Sequence, residues 1–318
     1  MKLKELSRVI EKADRGKIDI PVKSSDLYVN AIGELVVGDR APIRPNSWGW
    51  YLLLNRISKG ATKRYLFRHP SDQWIELVNY DLRHSNLDLI LRTRHDDLLG
   101  VVSGNYRKFD NREVLKALVE NLGDMPVHRY HLDDRFLYMR ILYPSGDFSI
   151  KGEEKYHLGF SVCNSEVGFR SLGSSAFLYK LACQNDAQFA EHTRMRFRHV
   201  GHTFEDMREG LGNAIFSGKR LKDYYVDLVR QASEEVIEED AFKAIMAQVK
   251  KMLRLSTKRA DEIVTLFAEE PNTRLGLINS ITHYCHRLRG DQRFMLEAGA
   301  GSLLKKTISG GELITVAA

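Results

Sequence analysis

Basic and aromatic side chains are interleaved between Arg40 and Ser71, a stretch without Asp or Glu. The side chains of these two kinds are Arg40, Arg44, Arg56, Lys59, Lys63, Arg64, Arg68, Trp48, Trp50, Tyr51, Tyr65 and Phe67. Guanidinium and ammonium groups neutralise phosphates, while flat rings offer stacking surfaces to unpaired bases. The stretch therefore predicts a surface for single-stranded nucleic acid. The competing interpretation is that the tryptophans belong to the core and the basic residues form a solvated face.

A second basic pattern follows the period of a β-strand. Arg194, Arg196 and Arg198 alternate with Met195 and Phe197. Because successive side chains of a strand point to opposite faces, the three arginines would share one face while the apolar residues pack on the core. In a helix the three would scatter. The spacing predicts a strand that presents its arginines to phosphates.

The turn from Tyr106 to Lys108 is assigned to the same surface, because it precedes a helix whose N-terminus favours anions. A plain connection between strand and helix is the alternative. The residues predicted to contact nucleic acid are Arg44, Trp48, Lys63, Arg64, Arg92, Arg94, Tyr106, Arg107, Lys108, Arg194, Arg196, Arg198 and His199.

The composition is that of a folded, basic protein. The chain has 318 residues, and 48 Lys and Arg against 42 Asp and Glu give a formal charge of +6, which favours polyanionic partners. Its three cysteines are widely spaced and offer neither a disulfide framework nor a CxxC motif. The sequence shows no leader-like apolar segment and no apolar stretch long enough to span a membrane. We expect a cytoplasmic protein with no membrane partner.

Signatures of catalysis are missing from the sequence, which has no GxxxxGK[ST] loop, no GxSxG elbow and no HExxH pair. Two weaker patterns could bind metal: the histidines His192, His199 and His202 with Cys163 or Cys183, and the acid pairs Asp96-Asp97, Asp133-Asp134 and Glu153-Glu154. The histidines lack a second spaced ligand pair, and each acid pair lies in a turn-like context. We therefore expect no cofactor and no metal, and a binding protein more than an enzyme.

Periodicity predicts an α+β fold with a curved, mainly antiparallel sheet, packed helices and a helical C-terminal third. Alternation predicts a hairpin over 26–37, strand-like pieces over 65–80, a strand within 98–106 and a hairpin formed by 136–142 and 156–163. A capped amphipathic helix is expected from Asn111 to Gly123. We expect two domains: an α+β nucleic-acid-binding core over 1–203, and a helical region over 204–318 for support or oligomer contacts.

Several segments resemble a known family. They are LGVVSGNYRKFDN at 99–111, VCNSEVGFRSLGSSAFLYKLAC at 162–183 with Asn185, Arg198-His199, TRLGLINSITHY at 273–284 and GAGSLLK at 299–305. In this order they are similar to the phage and plasmid-like protein family of unknown function, whose members occur in prophages, phages and conjugative plasmids. The resemblance implies a mobile-element context and no particular reaction.

The predicted order strand, strand, strand, helix around 65–123 is also similar to the β-rich core of phage single-strand annealing proteins and their ring-forming eukaryotic relatives, a likeness of fold alone. Together these features predict ATP-independent binding of single-stranded nucleic acid, with DNA favoured, and strand annealing in phage or plasmid recombination. The alternatives are an anti-defence or DNA-protective interaction protein and a metal-dependent nuclease. A homo-oligomer is expected, in which the acidic cluster from Glu234 to Asp240 pairs with the basic cluster from Lys250 to Arg259 of a neighbour.

Overall fold

The computed structural model describes residues 1–58, 72–150, 154–180, 185–188, 195–220, 222–309 and 312–315. The helices are α1 (Leu3–Ala13), α2 (Ser47–Ile57), α3 (Asp72–Ser85), α4 (Asn111–Leu122), α5 (Phe204–Arg220), α6 (Lys222–Glu234), α7 (Glu239–Leu253), α8 (Thr257–Phe267), α9 (Arg274–Tyr284) and α10 (Gly290–Ser302). The strands are β1 (Lys17–Lys23), β2 (Leu27–Val29), β3 (Leu35–Val37), β4 (Arg44–Pro45), β5 (Asp88–Arg94), β6 (Asp97–Ser103), β7 (Val127–Leu132), β8 (Leu137–Ile150), β9 (Glu154–Asn164), β10 (Leu172–Lys180), β11 (Asn185–Gln188), β12 (Met195–Phe197), β13 (Lys306–Ser309) and β14 (Glu312–Thr315).

The N-terminal part of the chain forms a four-stranded sheet of order β1-β5-β6-β4. Its first three strands are antiparallel, while β4 runs parallel to β6. Leu91 and Val101 on this sheet pack with Leu53 of α2 and with Val78 and Leu82 of α3 in one hydrophobic cluster. This sheet therefore has its own core.

The central sheet has the order β11-β10-β9-β8-β7, and β12 pairs with β10 on the edge that β11 also occupies. All of its pairings are antiparallel. Residues that are paired across neighbouring strands point to the same side of a sheet, so the register defines two different faces. One face carries Leu137, Met139, Phe160, Val162 and Leu172, which belong to the large core shared with the C-terminal helices.

The opposite face of the central sheet is polar. Tyr138 pairs with Cys163, and Arg140 pairs with Ser161, which in turn pairs with Ser175. Helix α10 lies over this face. Its Glu297 carboxylate accepts a 2.5 Å hydrogen bond from Nη2 of the fully buried Arg140. We call it the polar face.

The predicted α+β class is confirmed, with antiparallel sheets and a helical C-terminal region. The hairpin over 26–37 is formed by β2 and β3, with Gly33 in the left-handed region at φ +81°. The predicted helix over 111–122 is α4, and the hairpin after it is formed by β8 and β9.

The strand prediction over 65–80 is wrong for its described part, because residues 72–85 form helix α3. Trp74, Val78 and Leu82 recur every four residues, and this helical spacing puts Val78 and Leu82 on the core. Residues 59–71 lie outside the described ranges. Over 72–123 the order is helix, strand, strand, helix, so the three-strand order that supported the likeness to annealing proteins is not found there.

Candidate functional site

A cleft of about 960 Å³ opens between the polar face and helices α7, α8 and α10. Its floor comes from strands β9 and β10, through Ser161, Cys163, Gly173 and Ser175, and Arg196 of the edge strand β12 lies at its margin. The ends of α7 and α8 form one wall, and α10 forms another. Four arginines line the cleft, namely Arg170, Arg196, Arg254 and Arg259, and none of the described lining residues is an Asp or Glu. The cleft is therefore suited to a negatively charged ligand.

Arg196 reaches the cleft because β12 alternates as the sequence predicts. Met195 is buried and Phe197 packs against the core, so Arg196 points away from the core and is exposed. It pairs across the sheet with Gly173, which has no side chain to cover the floor beside it. Its Nε donates to the Ser171 hydroxyl at 3.3 Å, a weak contact and the only one that the guanidinium makes within the described ranges.

The turn between α7 and α8 positions two more arginines. Arg254 ends α7 in the left-handed conformation at φ +52°, and Ser256 caps α8 by accepting a hydrogen bond from the backbone N of Arg259. The Arg254 guanidinium is exposed and has no hydrogen-bond or ion-pair partner in the described part of the chain. Arg259 Nη2 donates to Gln292 Oε1 at 2.9 Å, which links α8 to α10 across the cleft.

Arg170 is half-buried against aromatic rings. Its guanidinium carbon lies 4.9 Å from the ring centre of Phe294 and 5.6 Å from that of Phe169. Burial lowers the pKa of the Arg170 guanidinium, and the neighbouring Cys163 acts in the opposite direction. Because arginine titrates far above neutrality, the group stays a cation at pH 7 and adds a flat, charged surface to the cleft.

The interior of the cleft is largely apolar with a hydroxyl floor. Met195, Leu255 and Leu296 are buried, whereas Met252 and Met295 are exposed at the opening. On the floor, the hydroxyls of Ser161 and Ser175 lie 2.8 Å apart, so either one can act as donor to the other. The site thus combines exposed cations with apolar walls and a few hydrogen-bonding groups, the usual composition of a ligand pocket.

A second charged constellation lies where the N-terminal sheet meets α4. We call it the junction network, and its members are Lys17, Asp19, Arg92, Lys108, Asp110 and Glu166. The Arg92 side chain is only 4% exposed and contacts Asp19 at 2.8 Å and Asp110 at 2.9 Å. Lys17 contacts Glu166 at 2.6 Å, and Lys108 contacts Asp19 at 2.5 Å. Every cation of this network has a carboxylate partner, whereas Arg196 and Arg254 of the cleft have none among the described residues.

Three residues predicted to contact nucleic acid are packed inside the protein. Arg92 belongs to the junction network, and Tyr106 is buried with its hydroxyl donating to the Ser165 carbonyl at 3.0 Å. The ring of Tyr106 stacks on His199 with centres 4.9 Å apart. His199 is also buried, and burial is the main cause that lowers its pKa to about 4. None of the three side chains lies at the surface, because each is buried in contact with other residues of the protein.

The other predicted contacts are spread over the surface. Arg44 pairs with Asp97 at 3.3 Å and Arg94 with Asp134 at 2.8 Å. Trp48 is half-buried and stacks on Tyr51 with ring centres 5.0 Å apart. Lys108 is exposed but pairs with Asp19 in the junction network, while Arg107 and Arg198 are exposed. Lys63, Arg64 and Arg194 lie outside the described residues.

Only one described residue of the predicted set, Arg196, lines the cleft. Arg254 and Arg259 belong to the basic cluster that the sequence assigns to oligomer contacts, and Arg170 lies in a segment with no periodic pattern to single it out. The only signal that points to Arg254 and Arg259 is the run of basic residues around the boundary between two helices.

The acid and histidine patterns do not assemble a metal site in what the structure describes. No three His, Cys, Asp or Glu side chains lie close enough together there to hold a metal ion. Asp97 and Asp134 are paired with arginines, and Asp133 contacts Arg135 at 3.2 Å. None of the described helices is both long and apolar enough to cross a membrane.

The fold and the cleft define an α+β protein with an arginine-lined cleft on the polar face of an antiparallel sheet. The chain belongs to the family described as Domain of unknown function (DUF932), whose profile matches residues 98–302. Every described residue that lines the cleft falls within this range. No curated protein and no solved structure matches the chain.

Proposed function

We propose that the cleft binds single-stranded nucleic acid, with DNA favoured, and that it does so without ATP. The observation that carries this proposal is the set of four arginines around a cleft whose described lining has no acidic residue. Guanidinium groups bind phosphates, and the apolar and aromatic walls suit unpaired bases.

Basic residues outside the cleft extend its charge on both sides. Lys251, near the end of α7, and Lys258, near the start of α8, are exposed on either side of the turn that carries Arg254. Beyond Arg196, the backbone N of Arg107 donates to the carbonyl of His199 at 2.6 Å, which brings the exposed Arg107 close to Arg198. A nucleic-acid backbone longer than the cleft therefore meets further cations as it leaves.

The proposal also includes self-association and a role in phage or plasmid recombination, in which the bound strand is either annealed to its complement or protected. One member of the predicted acidic contact surface, Glu235, is already engaged within the protein by Arg274 and by Thr307. The exposed Glu234, Glu238, Glu239 and Asp240 are the part of that surface left for a neighbour. Light scattering with and without an oligonucleotide tests self-association, and a protein mass of 36.5 kDa under both conditions, after subtraction of any bound oligonucleotide, would contradict it.

The binding proposal is tested by removing two cleft cations, Arg196→Ala and Arg254→Asn, in one variant. Asn tolerates the left-handed backbone of position 254, so the folding cost is small. We expect affinity for a single-stranded oligonucleotide to fall about tenfold or more, since a hydrogen bond to a charged group contributes about 1.5–3 kcal/mol. The slope of log affinity against log salt should flatten by about 1.4, or about 0.7 per lost phosphate contact.

The matched control removes two arginines that lie outside the cleft, Arg208→Ala and Arg230→Ala. Both side chains are exposed and paired, with Glu120 and Asp227 respectively, so the net charge changes as in the cleft variant. The control should keep its salt slope within error. An unchanged slope in the folded cleft variant, or no binding by the wild type at low salt, would overturn the proposal.

A further inference from the structure

We propose that the cleft takes the bases of a single strand into its interior and leaves the phosphates at the rim, so that bound bases are hidden from pairing. This inference rests on the proposed function, and it selects protection of unpaired strands over their annealing. It follows from where the cations and the apolar groups lie in the cleft.

The most accessible cations are at the opening. Arg196 and Arg254 are exposed on opposite sides of the cleft, from β12 and from the end of α7. Arg259 is half-buried and is held at the mouth by its hydrogen bond to the exposed Gln292. A phosphate backbone that follows the rim meets these three guanidinium groups without entering the interior.

The deeper lining suits flat, uncharged rings. Leu255 and Leu296 are buried walls, and Phe294 is covered on one side by the Arg170 guanidinium at 4.9 Å. Gly173 leaves the floor beside Arg196 without a side chain, while Gly299 lets α10 pack closely against Leu253 of α7. The hydroxyls of Ser161 and Ser175 bond to each other, and Ser161 also donates to the Ser175 carbonyl, so what this floor offers to the edge of a base is acceptor oxygens.

Two consequences separate this arrangement from annealing. Bases stacked within a duplex cannot enter the cleft, so single strands should bind more tightly than duplex of the same sequence. An annealing protein must leave base edges open to the complementary strand, whereas here the edges face the floor. Saturating protein should therefore slow the pairing of complementary strands.

The first experiment compares an oligothymidylate with an abasic oligonucleotide of equal length, which has the same phosphates. If bases occupy the interior, the abasic strand should bind at least about fivefold more weakly, since stacking contributes roughly 1–3 kcal/mol per base. Thymines of the bound strand should also lose their reactivity toward permanganate. Equal affinity for the two strands, or full permanganate reactivity in the complex, would overturn the inference.

A cleft variant sharpens the result. Met295 lines the cleft and is 56% exposed, so Met295→Glu places an acid on the wall with little cost to folding. The matched control is Phe216→Glu on α5, a residue that is 60% exposed and does not line the cleft. Met295→Glu should lose thymine protection and bind about tenfold more weakly, while Phe216→Glu should behave as the wild type.

The annealing rate of complementary strands is measured with the wild-type protein at saturation. A rate below that of the free strands supports the inference, and a faster rate overturns it while leaving binding at the cleft intact. If the wild type binds no oligonucleotide even at low salt, the proposed function fails and this inference with it. The outcomes thus distinguish a wrong orientation of the strand from a wrong ligand.

Discussion

The cleft and the junction network are both rich in basic side chains, but they differ in charge balance. In the junction network Arg92 meets Asp19 and Asp110, and Lys17 meets Glu166. In the cleft, Arg254 has no partner in the described residues and Arg196 has only a weak contact with a hydroxyl. Cations with carboxylate partners hold elements of a fold together, whereas cations without them are available to an anionic ligand. The comparison separates the structural arginines of this protein from its candidate binding arginines.

Burial supports the same distinction. Arg92 is removed from water, and its cost of desolvation is offset only because two carboxylates and the Glu166 carbonyl surround it. Burial alone would lower the pKa of Arg92. The hydrogen bonds from its side chain to Asp19 and the neighbouring carboxylates outweigh burial, so the pKa lies above its ordinary value. Arg254 stays in solvent and meets no such cost. Removing one arginine from each place should therefore affect different properties.

The largest effect is expected from Arg92→Met, which keeps an apolar stem but leaves Asp19 without its buried partner. We expect the free energy of unfolding to fall by about 3–5 kcal/mol, the usual cost of breaking a buried ion pair from one side. Arg254→Asn should change it by less than about 0.5 kcal/mol. Denaturant titrations of both variants measure the difference, and equal losses of stability would remove the distinction drawn above.

A smaller effect, visible only as pH falls, is expected from His199→Phe. Burial lowers the pKa of His199 to about 4, below the ordinary value of 6.5. As pH falls, His199 therefore takes up a proton in the unfolded chain before it does so in the folded protein. The stabilisation from neutral His199 is complete above about pH 6.5 and is lost as pH falls toward 4, by on the order of 3 kcal/mol. Arg92 acts in the same direction as burial, while Asp110 opposes it.

Stability measured between about pH 7 and pH 4 should therefore fall less steeply in His199→Phe than in the wild type. The phenyl ring preserves the stack on Tyr106, so the two proteins should be similar near pH 7. His202→Phe is the matched control, since that ring is only half-buried and packs edge-on against Phe197. Parallel curves for wild type and His199→Phe would show that His199 does not set the pH dependence.

The comparison also shows what the sequence could predict. The alternation around Arg196 predicted its strand and its exposed position, because Met195 and Phe197 have only one face of the sheet on which to be buried. Local periodicity carries that information. It does not say which acids a distant part of the chain brings near, and Arg92 meets Asp19, 73 residues away, through the pairing of β1 with β5.

The cleft could not be predicted from the sequence for a related reason. Its four arginines come from three separate places in the chain, and Arg254 and Arg259 are neighbours of Arg196 only because α7 and α8 pack over the polar face. The sequence also predicts that the turn from Tyr106 to Lys108 contacts nucleic acid, since this turn precedes a helix N-terminus. Local sequence does not show that Tyr106 stacks on His199, because His199 follows β12, more than 90 residues later in the chain.

The smallest effect is expected from Tyr106→Phe, which removes one buried hydroxyl. The change leaves the ring on His199 but deprives the Ser165 carbonyl of its donor at 3.0 Å. We expect a loss of about 1 kcal/mol in the free energy of unfolding and no change in affinity for an oligonucleotide. Because burial raises the pKa of the Tyr106 hydroxyl, the loss should be the same from about pH 7 to pH 9. A loss of affinity without a loss of stability would instead indicate that this hydroxyl contacts the ligand. Tyr106 would then belong to the nucleic-acid surface, as its sequence context predicts.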